Sequence, residues 1–104
     1  MNKEFKKGVI EICVLHFIKE EDRYGYQIVQ ELEEKFKVKE STIYPILKRL
    51  HKDNLLETYL RESDSGPARK YYKLTTSGTT TLNTLISDWH EFVKIVDNYL
   101  QTWF

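Results

Sequence analysis

Ser41, Thr42, Tyr44, Pro45 and Lys48 stand on the polar side of the segment STIYPILKRLHKDNLLE, residues 41–57. Their types suit one kind of chemistry. Hydroxyls donate to and accept from phosphates and base edges, proline and threonine carbons meet thymine methyls, and a lysine reaches guanine or phosphate. The same residues would also make an ordinary solvated helix face with a cap, so the elements around them must decide. Catalytic constellations are missing. His16, His51 and His90 fall in three different expected helices, and Cys13 sits among apolar residues that disfavour its thiolate. No paired metal spacing, phosphate loop or nucleophile motif occurs. No enzyme, cofactor or metal is expected.

The chain has 104 residues, the length of one domain. It is 40% hydrophobic and 31% charged, within the range of soluble globular proteins. No apolar run approaches the ~18 residues of a membrane span. The N-terminus lacks a secretory pattern, and the single cysteine suits a reducing compartment, so a cytoplasmic protein is expected. Net charge is zero, yet residues 37–73 hold nine Lys/Arg against five Asp/Glu. A basic middle inside an acidic frame attracts phosphate locally.

Periodicity supplies the elements. Phe5, Val9, Ile12, Cys13, Leu15, Phe17 and Ile18 mark a first helix, and Ile28, Val29, Leu32 and Phe36 a second. In the third, Ile43, Ile46, Leu47 and Leu50 form the inward stripe, which leaves the polar set outward. Ser41 or Thr42 is expected as its N-cap; with Thr42 as cap Pro45 falls at the third helical position, where no backbone bond is lost, and with Ser41 one bond would be missing. Asn54 is expected to end it in a left-handed conformation. Residues 55–61 and 69–75 read as two strands around a turn at 62–68 marked by Gly66-Pro67. Tyr72 and Leu74 would face the core, Tyr71 and Lys73 the outside. Residues 20–26 read as a polar connection.

Thr75 or Thr76 would cap a last helix. Leu82, Leu85, Ile86, Trp89, Phe92, Val93, Val96, Tyr99, Leu100 and Trp103 recur there as a heptad stripe. A domain this small cannot hide that stripe, so packing on the first helix and on a second copy is expected. The predicted interface residues are Leu82, Leu85, Ile86, Phe92, Val93, Val96, Leu100 and Trp103. The fold class is therefore mainly α with a small β-hairpin: a winged helix-turn-helix over 1–75, then a long dimerisation helix over 76–104, in one compact unit.

The stretches YGYQI (24–28), STIYPILKRL (41–50) and ARKYYKLT (68–75), with Gly78 after them, resemble the PadR family of bacterial transcriptional regulators. The likeness spans nearly the whole chain and keeps motif order and spacing. Tyr24 stands where family members often have His, and Asn54 where many have Gly. The single C-terminal helix is similar to the compact subgroup. The resemblance implies a homodimeric repressor on a pseudo-palindromic operator, with double-stranded DNA as partner. It places Ser41, Thr42, Tyr44, Pro45 and Lys48 at the DNA, with Arg69, Lys70 and Tyr71 from the wing. Lys37 and Lys39 at the turn would either add backbone contacts or stand as plain solvated charges. It also implies an effector site at the dimer interface, where Trp89 and its mate would stack on a planar aromatic compound; the plainer alternative is that Trp89 is core. The nearby acids Asp88 and Glu91 would favour a cation there. The alternative is a winged-helix module for protein interaction or RNA. Such a protein-binding module would tend to show exposed apolar side chains where this third helix shows hydroxyls, tyrosine and lysine.

Overall fold

The computed structural model describes the backbone of residues 3–101 and the side chains of residues 8–101. The elements run α1 (Lys3–Glu20), β1 (Arg23–Tyr24), α2 (Gly25–Phe36), α3 (Glu40–Lys52), β2 (Leu56–Ser63), β3 (Gly66–Leu74) and α4 (Thr76–Leu100). The three strands are antiparallel in the order β1-β3-β2. Ile10, Leu15, Ile28, Leu32, Ile43, Leu47 and Leu50 are among the core side chains of α1, α2 and α3. Leu56 and Tyr72 close this core from the sheet and Leu82 from α4. Each such aliphatic side chain contributes about 1.5–3 kcal/mol on burial, so the inward stripe of α3 fixes which of its faces is left outside.

Four details differ from expectation. Strand β1 was not foreseen; Arg23 and Tyr24 pair with Tyr72 and Tyr71. Two residues carry too little periodicity to be seen locally, and only the neighbouring strand makes them a strand. The hairpin turn is tighter than 62–68. Only Asp64 and Ser65 form it, and Gly66-Pro67 lies inside β3, with a register irregularity between Arg61 and Ser63. Helix α3 begins at Glu40, capped by Lys39 in extended conformation without a side-chain bond, so neither Ser41 nor Thr42 is the cap. Glu40 in the first turn suits the positive end of the helix dipole. Leu82 is fully buried in the chain's own core and Leu85 and Ile86 pack against it, so Leu82 is not available to a second copy.

Other signals meet expectation. Asn54 has φ 61, and the N–H groups of Asn54 and Leu55 donate to the carbonyls of His51 (3.1 Å) and Leu50 (2.9 Å). That pair of bonds closes the end of α3 in a Schellman turn. Thr75 caps α4, its Oγ1 accepting from the Gly78 N–H at 2.9 Å. The Thr75 hydroxyl donates back to the Asn54 carbonyl (2.8 Å), which ties the start of α4 to the end of α3. At Gly78 any side chain would overlap the Leu55 carbonyl oxygen and the Leu74 side chain. Glycine is needed there for the close approach of helix and loop.

Candidate nucleic-acid interface

Helix α3 follows α2 after the short turn 37–39, and its inner stripe of Ile43, Ile46, Leu47 and Leu50 is buried. Ser41, Pro45 and Lys48 are consequently exposed, Thr42 is half-buried, and Tyr44 is 40% exposed. Pro45 lies in the second turn rather than the first, where the missing N–H removes the bond that the Ser41 carbonyl would accept. Residues four apart share a helix face. The Ser41 hydroxyl and the Pro45 ring therefore lie together on the outer surface, beside a Ser41 carbonyl that lacks its usual i+4 donor.

Tyr44 is steadied from α2. A side chain built at Gly25 would come within 3.1 Å of the Tyr44 hydroxyl and 3.2 Å of its ring. Gly25 makes room for that ring, which links the 24–28 and 41–50 motifs physically. Other basic residues nearby are engaged within the fold. Arg49 donates to both Glu11 oxygens, at 3.3 and 2.8 Å, and its guanidinium pKa is raised, chiefly by that hydrogen bond. Arg23 lies over the Phe17 ring at 3.8 Å and donates to the Phe17 carbonyl and to Glu20 and Glu21. Both guanidinia have carboxylate partners within the fold, whereas Lys48 forms no ion pair among the described residues.

The wing has two faces, set by alternation along its strands. Buried Leu56 and Tyr72 define the inner one. The partners Leu60 and Lys70 continue it outward, with Lys70 Nζ 5.6 Å from the centre of the Tyr72 ring. The partners Tyr59–Tyr71 and Arg61–Arg69 lie on the outer face. Tyr59 and Tyr71 stack at 5.7 Å, and Tyr24 meets Tyr71 edge-on at 5.5 Å. Arg69 and Lys70 therefore sit on opposite faces of the wing's flank, four and five residues past the turn, and not at its tip. The Tyr59 hydroxyl donates to Asp22 at 2.6 Å, which pushes its pKa up. Burial does the same for Tyr72.

A second concavity lies between α1, α2 and α4. It measures about 590 Å³ and is lined by Ile12, Cys13, Phe17, Phe36, Trp89 and His90, among others. Burial raises the Cys13 pKa and keeps the thiol protonated. Trp89 is half-buried against α1 and α2 of its own chain. Beyond it α4 leaves several large apolar side chains exposed. Phe92 (61%), Ile95 (56%), Tyr99 (85%) and Leu100 (56%) are exposed. Trp103 lies outside the described residues. Among the described residues no helix is long and apolar enough to cross a membrane.

A helix pair joined by a short turn, with an antiparallel hairpin beside the second helix, is a winged helix-turn-helix. The profile of the PadR-like family of transcriptional regulators matches residues 14–84. A PadR-like transcriptional regulator from Bacillus cereus is 38% identical, with a TM-score of 0.85 over 95% of this chain and 98% of that one. A PadR-like transcription factor from Bacteroides fragilis is 39% identical, with a TM-score of 0.77 over 92% and 94%. A transcriptional regulator of Mycobacterium tuberculosis is 33% identical across 77% of this chain and 75% of its own. The chain belongs to the PadR-like family: it is a DNA-binding transcriptional regulator and not an enzyme.

Proposed function

We propose that the chain is a cytoplasmic, ligand-responsive repressor that binds a pseudo-palindromic operator as a homodimer. The outward face of α3 carries this reading: its hydroxyls, Tyr44 and Lys48 stand exposed while the neighbouring arginines Arg23 and Arg49 are tied into ion pairs. Ser41, Thr42, Tyr44, Pro45 and Lys48 meet base edges and phosphates in the major groove, and Arg69, Lys70 and Tyr71 act from the wing. Residues 1–75 form the DNA-binding part and α4 the dimerisation part. The seam is formed by Phe92, Val93, Val96 and Leu100, with Leu85 and Ile86 at its inner end, and exposed Ile95 and Tyr99 support it. A planar aromatic effector stacks at Trp89, in a concavity whose ~590 Å³ is a ligand-sized volume.

Selection from a random DNA pool tests the whole. The expected product is an inverted repeat with half-site centres about 34–36 Å apart, or a multiple of that. A single asymmetric half-site as the best ligand would contradict the two-fold model. Selective enrichment of RNA over duplex DNA would contradict the operator itself.

A further inference from the structure

Arg61 and Arg69 are direct partners across β2 and β3 on the outer face of the wing. Like charges placed so are destabilising. The fold does not neutralise them: Arg23 and Arg49 have carboxylates, while neither Arg61 nor Arg69 has an ion-pair partner among the described residues. Both are instead held on rings. The Arg61 guanidinium carbon is 4.0 Å from the centre of Tyr71, and that of Arg69 is 4.5 Å from the centre of Tyr24. Arg61 also donates to the Tyr59 hydroxyl at 2.9 Å, which in turn donates to Asp22. Stacking fixes a guanidinium's plane and leaves most of its in-plane N–H donors unused, the geometry that takes a phosphate in bidentate fashion.

We infer that Arg61 and Arg69 form a phosphate clamp that binds the DNA backbone on the side of the minor groove farther from α3. This rests on the DNA reading above and adds a contact surface to it. A wing set at a minor groove about 6 Å wide has a phosphate row on each side. Its inner face, with Lys70, meets the row nearer α3. Its outer face, with Arg61 and Arg69, meets the other row. Charge complementarity selects this occupant, because the pair offers cations, oriented donors and an aromatic floor, but no apolar hollow. Tyr24, Tyr59 and Tyr71 act as positioning residues.

The test uses the duplex recovered from the random pool, in a series trimmed from about one helical turn (~10 base pairs) beyond each half-site down to the half-site edge. Wild type, Arg61→Gln/Arg69→Gln, Lys48→Ala and Lys70→Ala are titrated at several salt concentrations. Light scattering and thermal melting confirm that each variant keeps its assembly and fold. The Arg pair variant should bind the longest duplex about tenfold more weakly, with a salt slope shallower by about two to four per dimer. On the shortest duplex it should match wild type, since the clamped phosphates are gone. An equal loss at every length, or no loss at any, overturns the clamp. If Lys48→Ala and Lys70→Ala also leave every affinity unchanged, the DNA reading of α3 and the wing fails as well.

Discussion

Asn54 holds φ 61, a conformation that costs an ordinary L-residue about 1–2 kcal/mol and glycine almost nothing. Asn54→Ala should lower stability by about 1 kcal/mol, and Asn54→Gly should leave it unchanged or raise it, as chemical denaturation will show. Gly78 is stricter, because the Leu55 carbonyl and Leu74 occupy the space of any side chain. Tyr72 gives a pH signature. Burial raises its pKa in the folded chain, so the proton is held more tightly folded than unfolded. That contribution is fully present below the tyrosine's ordinary titration range and is lost as pH rises through it. Tyr72→Phe should therefore flatten the alkaline fall in melting temperature. If Lys48 reads a base, as proposed, Lys48→Ala should weaken selected sites more than random duplex. Lys70→Ala should weaken both about equally, because phosphate carries no sequence. A reversed order in the two titrations would exchange their roles. Asn54 was legible from residue type and position, whereas Gly78 was visible only as part of the family resemblance and its close approach to Leu55 was not. Arg61 was not, because its role depends on Arg69 across the hairpin and on a tyrosine ring beneath it.

The helices were legible as elements because each repeats its apolar residues over several turns. The α3 stripe of Ile43, Ile46, Leu47 and Leu50 needs no other information, and Leu47→Ala should cost about 2–5 kcal/mol by leaving a cavity. Boundaries were less legible. Lys39 caps α3 with its backbone alone, so the hydroxyls two and three residues further on looked like the cap. Strand β1 owes its existence to Tyr71 and Tyr72 on a strand nearly fifty residues away. The stripe of α4 is continuous in sequence but serves two ends. Its first part packs on the chain's own core, with Leu82 fully buried and Leu85 and Ile86 partly so, while the part beyond Trp89 is more exposed. Local periodicity cannot divide them, since both need the same apolar residues. Val96→Lys should thus shift a homodimer toward a 12.5 kDa monomer in light scattering at micromolar concentration. It should leave the far-ultraviolet helical signal nearly unchanged. A wild type that is monomeric under the same conditions would remove α4 as a dimer seam.

Seen whole, the described chain extends 54 × 28 × 20 Å, and α4 accounts for much of its length. Zero net charge hides a basic middle of the chain, nine Lys/Arg against five Asp/Glu over residues 37–73, so DNA affinity should fall steeply with salt through counterion release. The proposed ligand at Trp89 would lie beside α1, α2 and α4 at once. It weakens operator binding only by preferring a dimer shape that does not fit DNA, and DNA then weakens the ligand by the same factor. Planar cationic dyes should quench Trp89 in a Trp103→Phe background, and equal binding after Trp89→Ala would make that indole plain core. The central claim, sequence-specific recognition by α3, is tested most directly by one ratio: the affinity for the selected duplex over that for a scrambled duplex of equal length at physiological salt. A specific regulator should prefer its site by at least about 10³-fold, and Lys48→Ala should shrink that preference. Equal affinity for both duplexes would contradict the claim.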